Sequence, residues 1–338
     1  MKLEVYERFD TLIHKTKKEL QVKRLSIAVL IVLLISTTGC NVSDSNYNPN
    51  LGTPLSYQTE IKWIHSSVPV SIMNRLNLDD LELQKYRGNL YWDNTKISSS
   101  VLLQENQNPE NEIEVLNLVY DPFKKGCFNK SKSYQRTDSS WGGITTTLMY
   151  NDKIKIEENQ KLSMWLNYDG DINELLLNLD FGEISEDITS DGIMGTEDKN
   201  QNDIFNFGED TGIDGRKNEN EEGFGAANLD PNNDNYSDDG KERINYPEGN
   251  GRMDSEDLNK NYTLDKRNNY YRIKMEMGVN VFPDQKNENG WMKVIISMQN
   301  YTEKIGEPEM REDKLDRIRI WMSGDKKIAL KIAEISIQ

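Results

Sequence analysis

The sequence predicts an all-β fold, a jelly-roll-like sandwich of two sheets, and three observations carry that expectation. From residue 60 onward, short runs rich in β-branched and aromatic residues alternate with turn clusters. No long stretch repeats its apolar residues at the helical period. About ten such runs are available, enough for two facing sheets. Residues 187–267 break the pattern: they hold too few apolar side chains to form a core and read as an insertion carried by the sandwich.

Residues 1–39 read as an export signal, outside the fold. Lys15, Lys17, Lys18, Lys23 and Arg24 precede an apolar run, 25–35, shorter than the ~20 residues that span a bilayer. The run meets Ser36-Thr37-Thr38-Gly39-Cys40, which resembles the lipobox of bacterial lipoproteins and marks Cys40 for lipidation. Thr37 departs from that motif, which usually has an aliphatic residue there. The expected location is the outer membrane, by lipid anchor, on the periplasmic or cell-surface side. Residues 40–58 are polar and turn-rich, as a flexible tether requires. If Cys40 carries lipid, Cys127 has no partner for an intramolecular disulfide and is expected to be a semi-buried thiol. An exported domain without disulfides must gain rigidity elsewhere, and bound metal is one source.

The sandwich, 59–338, is expected to take its strands from residues 61–65, 90–92, 113–120, 144–150, 162–168 and 175–179, then from 270–277, 292–298, 318–322 and 328–337. In the last run Ile328, Leu330, Ile332 and, after Ala333-Glu334, Ile335 and Ile337 alternate with small or polar residues, as one face on a core demands.

Of the net charge of −16, the insertion alone supplies −12, from 21 acidic and nine basic residues. Such a surface disfavours nucleic acid and anionic membranes at long range, so membrane contact is expected through the lipid anchor only. Within the insertion one pattern occurs twice without a gap. Residues 191–202 read Asp-Gly-Ile-Met-Gly-Thr-Glu-Asp-Lys-Asn-Gln-Asn, and residues 250–261 read Asn-Gly-Arg-Met-Asp-Ser-Glu-Asp-Leu-Asn-Lys-Asn. Oxygen side chains at alternate positions of a turning loop are what Ca²⁺ requires. In the first copy Asp198, Asn200, Asn202, the Ile204 carbonyl, Asn206 and Glu209 fall at positions one, three, five, seven, nine and twelve of a calcium loop. Asp203 stands at position six, where an EF-hand has glycine, and no flanking helices are evident. In the second copy Asp257, Asn259, Asn261, the Thr263 carbonyl and Asp265 fit, but Asn268 replaces the terminal glutamate, so that site is expected to be weaker or completed from elsewhere. Asp210 and Asp214, with the turn 230–234, are further oxygen donors that could finish a shared cluster. Calcium is the one cofactor expected, with an affinity of about 0.1 to 1 mM for an exported module.

Several segments together resemble the soluble parts of the SprA family of gliding-motility proteins. They are Arg87-Gly88-Asn89-Leu90-Tyr91-Trp92, Ser140-Trp141-Gly142-Gly143-Ile144, Leu179-Asp180-Phe181-Gly182-Glu183-Ile184-Ser185-Glu186-Asp187-Ile188, Glu209-Asp210-Thr211-Gly212-Ile213-Asp214-Gly215, Glu248-Gly249-Asn250-Gly251-Arg252-Met253-Asp254, Asn289-Gly290-Trp291 and Arg317-Ile318-Arg319-Ile320-Trp321-Met322-Ser323-Gly324. The order is kept over roughly residues 86–338. That family forms the giant outer-membrane barrel of type IX secretion, for which this chain has too few strands. The resemblance therefore implies the soluble calcium-loop sandwich, detached and given its own anchor, with a role in secretion, gliding or surface assembly.

Other chemistries have thinner support. The mature chain has one histidine, His65, expected to be structural, and zinc sites of His and Cys are excluded by the count. Gly223-Phe224-Gly225 and Gly249-Asn250-Gly251 lack the lysine or the strand-to-helix context of a phosphate loop, so no nucleotide is expected. A glycosidase needs only two carboxylates, which this acidity cannot exclude. Trp92 and Trp141 are candidate glycan-stacking residues, Trp141 the better for exposure beside Gly142-Gly143, whereas Trp291 and Trp321 read as core. The resulting expectation is a non-enzymatic envelope lipoprotein whose partner is an envelope protein or a polysaccharide, the latter through a jelly roll of the galactose-binding or carbohydrate-binding-module kind.

Overall fold

The computed structural model describes residues 53–54, 63–77, 80–102, 112–129, 131, 133–147, 161–169, 176–226, 253–277, 279–309 and 316–337. The chain divides into two units, 1–49 and 50–338, and the described residues belong to the second. The export signal, Cys40 and most of the tether lie outside the described residues.

Two antiparallel sheets face each other. The first has the order β3 (Gly88–Ser98), β4 (Glu112–Lys125), β13 (Ile328–Ile337), β6 (Lys161–Tyr168), β10 (Met292–Ser297), β9 (Gln285–Lys286), and β1 (Thr53–Pro54) also pairs with β13. The second has the order β11 (Glu303–Ile305), β8 (Asn269–Glu276), β7 (Leu176–Glu183), β12 (Arg317–Ser323), β5 (Trp141–Thr147), β2 (Ile64–His65). The chain passes repeatedly from one sheet to the other, as in a jelly roll. All ten expected strands are present. β3 runs well past residue 92 because its far half is exposed and polar, so hydropathy could not mark where it ends.

Period-two alternation builds the core. Leu177, Leu179 and Phe181 of β7, Ile273 and Met275 of β8, and Ile318, Ile320 and Met322 of β12 point inward. They meet Leu116, Leu118, Leu162, Met164, Leu166, Val294, Leu330 and Ile332 of the other sheet. The phase break in β13 is a bulge: pairing shifts between Ala333 and Ser336, and Glu334 takes a left-handed φ of 48°.

The outward face of the second sheet is buried as well, under a segment the sequence left unassigned. Helix α1 (Val70–Leu76) starts after the extended Pro69 and ends at Asn77, whose left-handed φ of 51° lets its N–H reach the Met73 carbonyl. Seven residues are too few to display helical periodicity. Ile72 packs with Val68, Leu83, Trp141 and Trp321, and beneath them lies an ionic layer. Asp180, fully buried, accepts from Arg272 Nε (2.6 Å), Arg319 Nε (2.7 Å) and Trp321 Nε1 (3.1 Å). Arg87, also buried, bonds the Ser66 and Ile188 carbonyls and stacks 4.3 Å over Trp141.

β7 and β8 are adjacent strands paired down to Glu183 and Asn269. The acidic insertion therefore leaves and re-enters the sheet at one point, as a very large hairpin connection.

Candidate metal centre

In the first loop the expected ligands converge. Asp198 accepts at one carboxylate oxygen from Asn202 N (3.0 Å) and at the other from Asp203 N (2.8 Å), which curls the chain. Asn206 Nδ2 then sits among Asn202 Oδ1 (3.3 Å), the Ile204 carbonyl (2.7 Å) and Glu209 Oε2 (3.1 Å), while Asn200 Nδ2 meets Glu209 Oε1 (3.2 Å). Positively polarised amide hydrogens thus stand amid oxygens from positions five, seven and twelve. An amide's two ends have nearly the same shape, so turning Asn200 and Asn206 over presents two more oxygens to the same point. The donor set fits a hard cation: two carboxylates, amide oxygens and a carbonyl.

The second loop repeats the backbone. Asp257 accepts from Asn261 N (2.9 Å) and Tyr262 N (2.7 Å), as Asp198 does one copy earlier. Left-handed φ values occur at matching places, Gln201 and Asp203 at 56° and Lys260 and Tyr262 at 57°. Position six thus has the conformation that glycine serves in an EF-hand, without the glycine. The ligands gather on Asp265, whose Oδ2 receives Asn259 Nδ2 (2.8 Å) and Asn261 Nδ2 (3.2 Å). Asn268 turns away to accept from Ser185 N (3.3 Å).

A glutamate from outside the second loop makes the backbone contact that Glu209 makes within the first. In the first loop Glu209 accepts from the position-nine N–H, Asn206 (2.8 Å); in the second, Glu186 accepts from the position-nine N–H, Asp265 (3.0 Å), and from Leu258 N (3.1 Å). Glu186 is already engaged by Arg317, at 2.5 Å, and the same guanidinium lies 3.8 Å from Asp265. Burial pushes the Glu186 carboxyl up to about 7, with Arg317 acting against the shift.

The two copies are related by a local twofold axis. Thr196 and Ser255 form an antiparallel bridge between equivalent positions; Glu197 N reaches the Asp254 carbonyl (2.9 Å) and Glu256 N the Gly195 carbonyl (2.8 Å). Beside the bridge, two fully buried glutamates exchange places. Glu197 accepts from Asp254, Thr211 and Gly212 N–H groups at 2.7 to 2.8 Å, and Glu256 from Gly195, Ile188 and Thr189 N–H groups at 2.7 to 2.9 Å. Burial pushes both carboxyls up to about 7, while the backbone donors pull them back. Gly195 has no substitute, since a Cβ would lie 2.6 Å from the Ile213 carbonyl and 3.2 Å from Glu256. The three glutamates were missed in the sequence, although Glu197 and Glu256 stand directly before the aspartates of both copies, and that placement was the available signal.

Other expected residues fall elsewhere. Asp214 closes a turn of its own with Arg216 N (2.8 Å) and lines a cleft with Glu82, Lys85 and Phe128. Asp210 is half-buried near Glu197, whose carboxyl its charge helps to raise. The turn 230–234 lies outside the described residues. Trp141, read as the best exposed tryptophan, is fully buried under α1, and Trp92 is buried in the core at 4% exposure; neither offers a ring to a ligand. Trp291 and Trp321 are buried, as expected. His65 is buried edge-on against Trp92 and Phe128, and Cys127 is a buried thiol.

Compared with known proteins, the chain matches no family model and no curated protein.

Proposed function

We propose that the chain is a calcium-stabilised envelope lipoprotein, non-enzymatic, in which the paired loops hold a binding surface in shape. The observation that carries this reading is the twofold pair of loops: their leading aspartates curl the chain around the same two N–H groups, and the buried glutamates beside them bind one another's backbone. A disordered acidic tail has no reason to bury carboxylates in reciprocal positions. Calcium would be held in the first loop by Asp198, Asn200, Asn202, the Ile204 carbonyl, Asn206 and Glu209, and in the second by Asp257, Asn259, Asn261, the Thr263 carbonyl, Asp265 and Glu186. Bound there, it supplies charge neutralisation and cross-linking of the chain.

The lipid anchor at Cys40 and the SprA-like role in outer-membrane secretion, gliding or surface assembly rest on the sequence resemblances. Among the described residues no helix is long and apolar enough to cross a membrane. The glycan-binding alternative drew on Trp92 and Trp141, and their burial removes both rings as stacking platforms. The test is limited proteolysis with and without Ca²⁺. Protection of residues 187–267 and a raised melting temperature are expected, with Mg²⁺ less effective; an unchanged digestion pattern in chelator sinks the calcium reading. Crosslinking in cells, with recovery of secretion or surface-assembly components, tests the partner class.

A further inference from the structure

We propose that the tip of the first loop is a calcium-gated foot that enters the anionic lipid surface to which the chain is tethered. The inference rests on the calcium reading and extends it to a partner. Ile204, Phe205 and Phe207 are 60%, 41% and 109% exposed, three large apolar side chains within four positions of an acidic loop. The repeat does not demand them: the matching residues of the second loop are Thr263, a half-buried Leu264 and Lys266. An exposed apolar cluster of this kind marks a contact surface.

Its shape and charge select the partner. Phe207 is followed by Gly208, φ 89°, around which a Cβ would meet nothing within 4 Å, so the tip projects and forms no groove. A projecting side chain needs a matching pocket in a protein partner, whereas a lipid interface accepts it to a depth of about 5 to 10 Å without one. The insertion's net −12 repels anionic headgroups when no metal is bound. A calcium ion at Asp198 and Glu209 would offset the charge of those two carboxylates beside the tip, and since Ca²⁺ takes six to eight oxygens it can also accept a headgroup phosphate. The 13 residues from Cys40 to Thr53 reach at most roughly 45 Å, which keeps an anchored domain close to the bilayer.

The test uses the full chain on vesicles of phosphatidylcholine with phosphatidylglycerol, some acyl chains brominated, and the variant Phe207→Trp read as the difference from the parent with its six tryptophans. With Ca²⁺ the added emission is expected to shift to the blue and to lose most of its intensity to bromine; with chelator, or with phosphatidylcholine alone, it stays unquenched. Phe207→Ser with Phe205→Ser is expected to weaken calcium-dependent flotation of the chain, measured against its own level in chelator, on the order of tenfold or more, with the melting temperature of the sandwich unchanged. If Ca²⁺ protects the insertion from protease while the added tryptophan escapes quenching, the foot is overturned and the calcium reading stands. If neither protection nor quenching occurs, both fall. Quenching that persists in chelator overturns the gating. A blue shift with Ca²⁺ in the absence of vesicles overturns the lipid partner and shows the tip covered by a second copy of the chain.

Discussion

The loop at 198–209 and the loop at 257–268 carry left-handed residues at the same two positions and curl their leading aspartates around the same two N–H groups, yet they answer their charge differently. The first keeps its glutamate, Glu209, within the loop, and among the described residues no ion pair to its ligands is seen. The second borrows Glu186 from the strand exit, and with it Arg317 from β12. On the calcium reading proposed above, the first loop would take its cation from solution, whereas the second already has an internal one in Arg317. Equal backbones therefore do not imply equal sites, and the first is expected to respond to calcium more strongly while the second ties the insertion to the sheet.

The largest test of this comparison attacks what the loops share. Glu256→Ala leaves three N–H groups without their acceptor at a buried site, each costing ~1 to 3 kcal/mol, so a loss of about 5 kcal/mol is expected, and Glu197→Ala should match it. The measurement is proteolysis of 187–267 together with thermal melting; intact insertion in either variant would break the twofold account. Next, Arg317→Met removes the internal cation. Breaking a buried pair costs ~3 to 5 kcal/mol, and here the loss should appear in chelator and be largely recovered in Ca²⁺, because the metal takes over the charge on Glu186 and Asp265. No recovery would show that Glu186 does not serve the second loop.

A smaller effect separates the sites directly. Asp198→Ala is expected to weaken the tighter calcium event by about tenfold or more, ~1.4 kcal/mol, and Asp257→Ala to change it less, both read by calorimetric titration. The reverse order would invert the assignment of strong and weak loop.

What the sequence made legible, and what it hid, follows from the range of each interaction. Alternation along β7, β12 and β13 is local, so the ten strands and most core residues could be read from it. The alternate oxygens at 198, 200 and 202 are equally local, and so were the loops. Glu186 could not be found that way, because its loop begins 71 positions later and the two meet only once β7 and β8 pair. Trp141 misled for a related reason: two glycines beside it suggested exposure, but they make room for close packing, a Cβ at Gly143 meeting Ser66 Oγ at 2.6 Å and Trp321 Cβ at 2.7 Å. The face it lies on is closed by α1, a helix too short to announce itself.

The subtlest prediction concerns pH. Glu186, Glu197 and Glu256 each have a carboxyl raised from the ordinary 4.5 to about 7, with burial as the first cause. A raised carboxyl pKa means the folded chain holds protons that the unfolded chain releases, so its contribution to stability is full below about pH 4.5 and is lost as pH rises through about 7. In chelator the insertion should therefore resist protease better at pH 5 than at pH 8. Calcium acts in the opposite sense, since its carboxylate ligands must be ionised, and its stabilising increment should grow over the same interval. Glu197 and Glu256 sit symmetrically and weaken both copies alike, whereas Glu186 serves only the second loop. Cleavage in chelator at alkaline pH is accordingly expected to begin within 257–268, and first cuts within 198–209 would show that the asymmetry of the two loops does not lie in Glu186.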